Sequence, residues 1–324
     1  MRTGGDARFF CVIKNLNELK EAVVFCKDNS LKFFVLGGGS NTIFSDGGFD
    51  GLIIKNEMMG RGIIEVDNNF SILKCGAGEN WDEIVSFSIK NKLYGLENLS
   101  NIPGTVGASA VQNIGAYGAE VKDFIEEVEV LDIENFTVFS LSNKDCNFEY
   151  RNSLFKNKKT LIVLSASYKL SKKFFANLKY SELKNIFSNK TVDNFSVDDI
   201  RNKIIDFRKN KLPEIKDLGS AGSFFKNPIL TKENYKKLLE KFPLLPKFDL
   251  DEERVKIPLG FVLDKICLLK GYRKGDVGVY EKQALVIVNY GKAKTSDIKI
   301  FSEYIKNIVK EKTGLFLEEE VEFV

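Results

Sequence analysis

Along residues 15–29 apolar side chains recur at the spacing of one helical face. Leu16, Leu19, Val23 and Cys26 line up, Asn15 stands at the cap position, and Glu18 follows three residues later. The pattern predicts a helix. A short apolar run, Phe33 to Leu36, comes next and leads directly into Gly37-Gly38-Gly39-Ser40-Asn41. Thr42 to Phe44 and Leu52 to Ile54 read as strands on either side of an Asp46-Gly47-Gly48 turn. The opening stretch of about 55 residues is therefore an α/β unit.

Further strands are expected at Ile63 to Val66, Ser71 to Cys75, Val128 to Ile133, Thr137 to Leu141 and Leu161 to Tyr168, with one helix near 80–91. The middle of the chain is α+β and rich in sheet. A helix from about 196 carries Ile200, Ile204, Ile205 and Phe207 and stops at Leu212-Pro213, where a domain boundary is expected. Beyond it the pattern predicts helices near 231–241, 259–269 and 294–312, and strands at Ala284 to Asn289 and Leu315 to Phe323. The domains expected are residues 1–57, 58–212 and 213–324.

The 324 residues are 44% hydrophobic, enough for several buried cores. Lys and Arg number 48 against 45 Asp and Glu, so the net charge of +3 offers no broad field to nucleic acid or anionic lipid, and neither partner is expected. No leader pattern opens the chain and no run approaches the roughly 20 apolar residues of a membrane span, which points to a cytoplasmic protein. Five cysteines, odd in number and never in a C-x-x-C pair, suit reduced thiols and argue against a zinc site or a disulfide framework; no metal is expected. The chain has no histidine. That excludes Ser-His-Asp and Cys-His catalysis, so any catalytic acid must be Ser, Tyr, Lys, Cys or a carboxylic acid.

Two loops carry the candidate chemistry. In the first, three glycines and two small polar residues follow an apolar strand, so that backbone N–H groups can turn toward a diphosphate. It is not the dinucleotide fingerprint, since Thr42 occupies the third glycine position and no helix follows; a plain tight turn between two strands is the alternative reading. The second runs from Asn101-Ile102-Pro103-Gly104-Thr105-Val106-Gly107 to Gln112-Asn113-Ile114-Gly115-Ala116-Tyr117-Gly118, with hydrophobic residues too interrupted for a helix face or a clean strand. A loop of that length in a compact chain usually binds something. Its glycines admit a flat cofactor close to the backbone, and Gln112 and Asn113 could read an isoalloxazine or ribose edge; an ordered structural loop is the alternative.

These two blocks together resemble the UDP-N-acetylenolpyruvoylglucosamine reductase family. The resemblance continues, in order, through Tyr150-Arg151-Asn152-Ser153-Leu154-Phe155-Lys156, Lys211-Leu212-Pro213, Gly222-Ser223-Phe224-Phe225-Lys226-Asn227-Pro228, Leu269-Lys270-Gly271-Tyr272 and Lys282-Gln283-Ala284-Leu285-Val286. It implies a vanillyl-alcohol-oxidase-like (PCMH-type) two-part FAD-binding fold, α/β and α+β, with a C-terminal α+β substrate-binding domain. It also implies FAD and NADPH as cofactors, a UDP-sugar as substrate, and a monomer. FAD contacts would come from Gly37, Gly38, Gly39, Ser40, Asn41, Thr42, Pro103, Gly104, Thr105, Gly107, Gln112, Asn113, Gly115, Ala116, Tyr117 and Gly118.

Reduction of an enolpyruvyl ether puts a hydride on the terminal carbon and a proton on the carbon bearing the carboxylate, with charge building up as an enolate. By resemblance, Arg151 would clamp that carboxylate, Ser223 would give the proton, and Glu320, in Leu317-Glu318-Glu319-Glu320-Val321, would stabilise the enolate. Read alone, Arg151 is a surface ion pair, Ser223 a turn or cap residue, and Glu320 part of a solvated face in a strand. Arg208, Lys211 and Lys270 match positions meeting the active site or diphosphate, Asn227 and Gln283 supply amide contacts, and Tyr180 matches a tyrosine that one subtype lays over the substrate. Phe248, Glu319 and Ala108-Ser109-Ala110 depart from the family's Tyr, Pro and Gly-Ala-Pro, and only Met1 and Arg2 precede Thr3-Gly4-Gly5-Asp6-Ala7, a short lead-in. An FAD-dependent sugar or alcohol oxidase of the same fold and a non-catalytic UDP-sugar-binding regulator are the competing readings.

Overall fold

The computed structural model describes residues 1–187, 195–214 and 216–324. By the contacts its residues make, the chain falls into two compact units: Ala7–Gly39 with Asp50–Arg208, and Met1–Asp6 with Ser40–Phe49 and Lys209–Val324.

In the first unit the helix expected near the start runs Leu16–Asp28. Asn15 accepts from the Glu18 N–H at 3.0 Å and Glu18 answers by accepting from Asn15 Nδ2 at 2.8 Å, so the sequence cue marks the true helix start. Leu19, Val23 and Cys26 face inward. They cover a three-stranded sheet in the order Ala7–Ile13, Phe49–Asn56, Lys32–Leu36, whose last pair is parallel, and share a core with Leu131, Ile162 and Leu164. Those three residues belong to a five-stranded antiparallel sheet in the order Thr137–Ser142, Ile125–Asp132, Leu161–Ser171, Phe70–Gly76, Arg61–Glu65. Part of the sheet's other side packs on helix Trp81–Lys90, with Trp81, Ile84 and Val85 fully buried. Each such side chain contributes roughly 1.5–3 kcal/mol.

The second unit contains a four-stranded sheet, Gly219–Ser223, Val286–Asn289, Val277–Val279 and Arg273–Lys274. A three-stranded sheet, Ile229–Thr231, Arg254–Lys256 and Phe248–Asp249, also belongs to it. Helix Thr295–Thr313 buries Ile298, Phe301, Ile305 and Val309 in the core that holds Phe224 and Phe225. Among the described residues, no helix is long and apolar enough to cross a membrane.

Three expectations need correction. The second glycine loop contains a helix, Val106–Gln112, because Val106, Gly107, Ser109 and Ala110 are small enough to be buried without an apolar stripe. The stretch at 259–269 is not one α-helix: Leu259–Phe261 passes into a π-helical turn, Val262–Ile266. Of Leu315 to Phe323, only Glu322–Phe323 forms a strand, parallel to Thr42–Ile43. The alternation that suggested a longer strand is real, since Leu315, Leu317 and Val321 are buried, but apart from a single bridge between Phe225 and Glu319 the segment has no ladder partner there. Glu320 thus lies in a bend ahead of the last strand.

Candidate active site

In the first unit the two glycine loops touch. A Cβ on Gly38 would come within 2.7 Å of Gly104 Cα, and one on Gly37 within 2.7 Å of Thr105 Oγ1, so the backbones meet where no side chain fits. Gly39 and Gly104 have φ of 66° and 127°. Lys55 Nζ donates to Gly37 O at 2.5 Å and Gly104 O accepts from the Trp81 N–H at 3.1 Å, fixing each loop to the sheet or helix behind it. Gly38, Gly39 and Pro103 remain exposed. The contact therefore presents an open, side-chain-free backbone surface, which fits the diphosphate and ring system of a flavin dinucleotide.

The loop continues into a hairpin, Gly115–Ala116 against Ala119–Glu120. Its two turn residues, Tyr117 and Gly118, both have positive φ, 48° and 84°, the geometry of a tight primed turn. Arg151, itself at φ 54°, lies across the start of this hairpin. Its Nη2 donates to Gly115 O at 2.5 Å and its Nη1 to Asn113 O at 3.3 Å, with Glu120 at 3.7 Å. A Cβ on Gly115 would sit 2.9 Å from Arg151 Nη1, so glycine there makes room for the guanidinium. The Asn113 amide is engaged within the protein, donating to Glu149 O at 2.7 Å and accepting from the Lys122 N–H at 3.2 Å. Gln112 accepts from Lys156 Nζ at 3.3 Å.

Tyr180 packs edge-on to Tyr117 at 5.1 Å, and Tyr117 stacks on Phe207 at 6.0 Å. Burial pushes both tyrosine hydroxyls above their usual range, with Glu182 adding to the rise, so both stay protonated. Arg208 donates from Nε to Asn101 O at 2.9 Å; burial draws it below the usual guanidinium value, against the pull of Tyr117 and Asp82. The first unit thus brings together both glycine loops, Arg151, Tyr180 and Arg208.

In the second unit Ser223 ends the strand Gly219–Ser223 opposite Val286, just after Gly222 at φ 74°. Among the described residues its hydroxyl has no hydrogen-bond partner. The Glu320 N–H donates to the carbonyl of Phe224, Ser223's neighbour, at 2.8 Å, and the Lys226 N–H donates to Glu318 O at 2.9 Å. Asn227 accepts from the Leu259 N–H at 2.9 Å, and Gln283 Oε1 lies 3.3 Å from where a Cβ of Gly260 would be. Ser223, Asn227, Gln283 and Glu320 are therefore held about one short segment. Lys270 pairs with Asp264 at 3.6 Å, and Lys211 ends the helix Val197–Lys211.

Several contributors escaped the sequence reading. Asn41, read there as a cofactor contact, donates from Nδ2 to Glu320 O at 2.9 Å, and its own carbonyl accepts from the Glu322 N–H at 2.9 Å. Glu319 is anchored by Ser302 Oγ at 2.9 Å and Lys306 Nζ at 2.5 Å. Asp82 takes a two-pronged contact from Arg201 and the Asn101 N–H. Asn98, buried beside Glu97 in the short turn Leu96–Leu99, carries no distinctive sequence cue.

Residues 7–142 match the family described as FAD binding domain. That match makes the chain a flavoprotein that binds FAD. Residues 213–324 match the UDP-N-acetylenolpyruvoylglucosamine reductase, C-terminal domain. A UDP-N-acetylenolpyruvoylglucosamine reductase of Flavobacterium johnsoniae is 38% identical over 98% of this chain and 94% of its own length. One from Pasteurella multocida is 37% identical over 96% and 90%. The solved UDP-N-acetylenolpyruvylglucosamine reductase of Thermus caldophilus superposes with a TM-score of 0.64 over 97% of this chain and 91% of that one, at 24% identity, and so speaks for the fold. The chain belongs to the UDP-N-acetylenolpyruvoylglucosamine reductase family.

Proposed function

We propose that the protein reduces UDP-N-acetylglucosamine enolpyruvate to UDP-N-acetylmuramate with NADPH, in peptidoglycan precursor synthesis, acting as a cytoplasmic monomer. The observation that carries this reading is the backbone bond from the Glu320 N–H to Phe224 O, which holds the Glu320 backbone against the residue that follows Ser223, in a chain without histidine. Bound FAD supplies the hydride, drawn from NADPH. Gly37, Gly38, Gly39, Ser40, Asn41, Thr42 and the loop from Pro103 to Gly118 hold it through their backbones.

The protein's own residues then manage charge and the proton. Arg151 meets the substrate carboxylate with a planar fork already aimed by Gly115 O and Asn113 O, so little orientation remains to be fixed. Ser223 delivers its proton to the carbon bearing the carboxylate; an unclaimed hydroxyl keeps that proton available for an enolate basic enough to take it. Glu320 stands beside the growing negative charge and stabilises it by sharing a proton. Arg208, Lys211 and Lys270 offer positive charge to the diphosphate, and Asn227 and Gln283 offer amides. Tyr180 covers the substrate with a hydroxyl kept neutral by burial.

Steady-state absorbance of NADPH tests the reading. The protein should consume NADPH only when the enolpyruvyl UDP-sugar is present. Oxygen uptake with a sugar or alcohol and no need of NADPH would instead make it an oxidase, and saturable UDP-sugar binding without turnover would make it a regulator.

A further inference from the structure

We propose that Asn98 is a positioning residue: its carboxamide fastens the Gly115–Gly118 turn of the cofactor loop to the segment carrying Tyr180, so that one side chain sets the place of both. The inference rests on the reading of Tyr180 as a substrate-covering residue. Asn98 is 1% exposed. Its Nδ2 donates to Tyr117 O at 2.8 Å and to Asn177 O at 2.9 Å, two carbonyls far apart in sequence. Asn177 answers from its own Nδ2 to Gly118 O at 3.1 Å and folds back on itself by accepting from the Lys179 N–H at 3.2 Å. Two side-chain amides thus lace the turn residues Tyr117 and Gly118 to residues 177–179, just ahead of Tyr180.

The amide can point only one way. Two carbonyl oxygens face it, so turning Oδ1 toward them would set oxygen against oxygen. As placed, Oδ1 is buried with no hydrogen-bond partner among the described residues. Leaving a buried acceptor unpaired is costly, and a leucine would fill the space without that cost. What a leucine lacks is the pair of donors. Tyr117 itself needs holding, since a tyrosine at φ 48° persists only where its surroundings over-determine it. The fit behind the turn is equally close, with Gly118's missing Cβ lying 3.1 Å from Lys179 Cβ and 3.2 Å from Tyr180 N.

The test compares Asn98→Ala, Asn177→Ala, Tyr180→Phe and the Asn98→Ala/Tyr180→Phe double variant as FAD-loaded enzymes. Losing one to two such bonds should raise KM for the enolpyruvyl UDP-sugar about tenfold in Asn98→Ala. Asn177→Ala, which removes one bond of the clamp, should do so less. The double variant should cost little more than the worse single variant, since both act through the placement of the Tyr180 hydroxyl. Hydrogen exchange over residues 177–184 should also speed up about tenfold in Asn98→Ala. Multiplying KM effects, or unchanged exchange in that segment, would overturn the proposal. If Tyr180→Phe leaves KM unchanged, the covering role of Tyr180 falls, and the exchange result alone decides the clamp. Should Asn98→Ala fail to fold, Asn177→Ala, at a partly exposed site, gives the same two readouts, and unchanged exchange there overturns the clamp.

Discussion

Asp82→Ala should loosen the first unit by about 2–4.5 kcal/mol. The carboxylate accepts from both Arg201 Nη atoms at 2.8 Å each and from the Asn101 N–H at 2.5 Å, tying helix Trp81–Lys90 to helix Val197–Lys211 and to the start of the second glycine loop. Hydrogen bonds to a charged group contribute about 1.5–3 kcal/mol each. Water takes back roughly half of the total here, because the Asp82 and Arg201 side chains are 31% and 14% exposed. Trp81, the chain's single tryptophan, is adjacent, fully buried and bonded to Leu99 O at 2.9 Å, so denaturant unfolding followed by its fluorescence reads this unit directly. Burial alone would raise the Asp82 pKa, but Arg201 and the Asn101 N–H hold it below the usual carboxylate value. Its stabilisation is thus complete above the ordinary carboxylate pKa and is lost as pH falls through the lowered one. The gap between wild type and Asp82→Ala should close in acid. A gap under about 0.5 kcal/mol at neutral pH, or one that persists in strong acid, would refute the reasoning.

Gly38→Ala should weaken FAD binding at least about tenfold in a flavin fluorescence titration, since its Cβ meets Gly104 backbone at 2.7 Å, whereas Gly47→Ala, with only Ser45 Oγ at 3.8 Å, should not. Asp46 accepts from the Thr295 and Ser296 N–H groups at 2.6 and 2.9 Å, and these bonds lower its pKa. Asp46→Ala should therefore cost about 1 kcal/mol in denaturation at neutral pH, with the difference fading as acid protonates the native carboxylate. Burial pushes the Cys75 and Cys146 thiols up to about 12, so neither should react with a disulfide reagent at mildly alkaline pH until the protein is unfolded.

Much of the fold was legible because its signals are local. The Asn15–Glu18 cap, the strand before Gly37 and the helix ending at Lys211 are each marked by residues within a turn of one another. Helix Val106–Gln112 was hidden because burial of Gly107, Ser109 and Ala110 leaves no apolar stripe to count. Arg151, Ser223 and Glu320 stand out as site candidates only as parts of ordered motifs, since each alone has a commoner structural use. Asn41 and Glu319 were not legible in their bracing roles. Their partners lie 279 residues away in Glu320 and 17 away in Ser302, and no spacing rule links an amide in one loop to a carbonyl near the far end of the chain.

Flavin absorbance through the two half-reactions of Ser223→Ala tests the central assignment most directly. NADPH should reduce the bound flavin as fast as in the wild type, and reoxidation by the enolpyruvyl UDP-sugar should slow by about 10²–10⁴-fold, the worth of a positioned acid. Reoxidation at the wild-type rate would contradict the role of Ser223 as the proton donor.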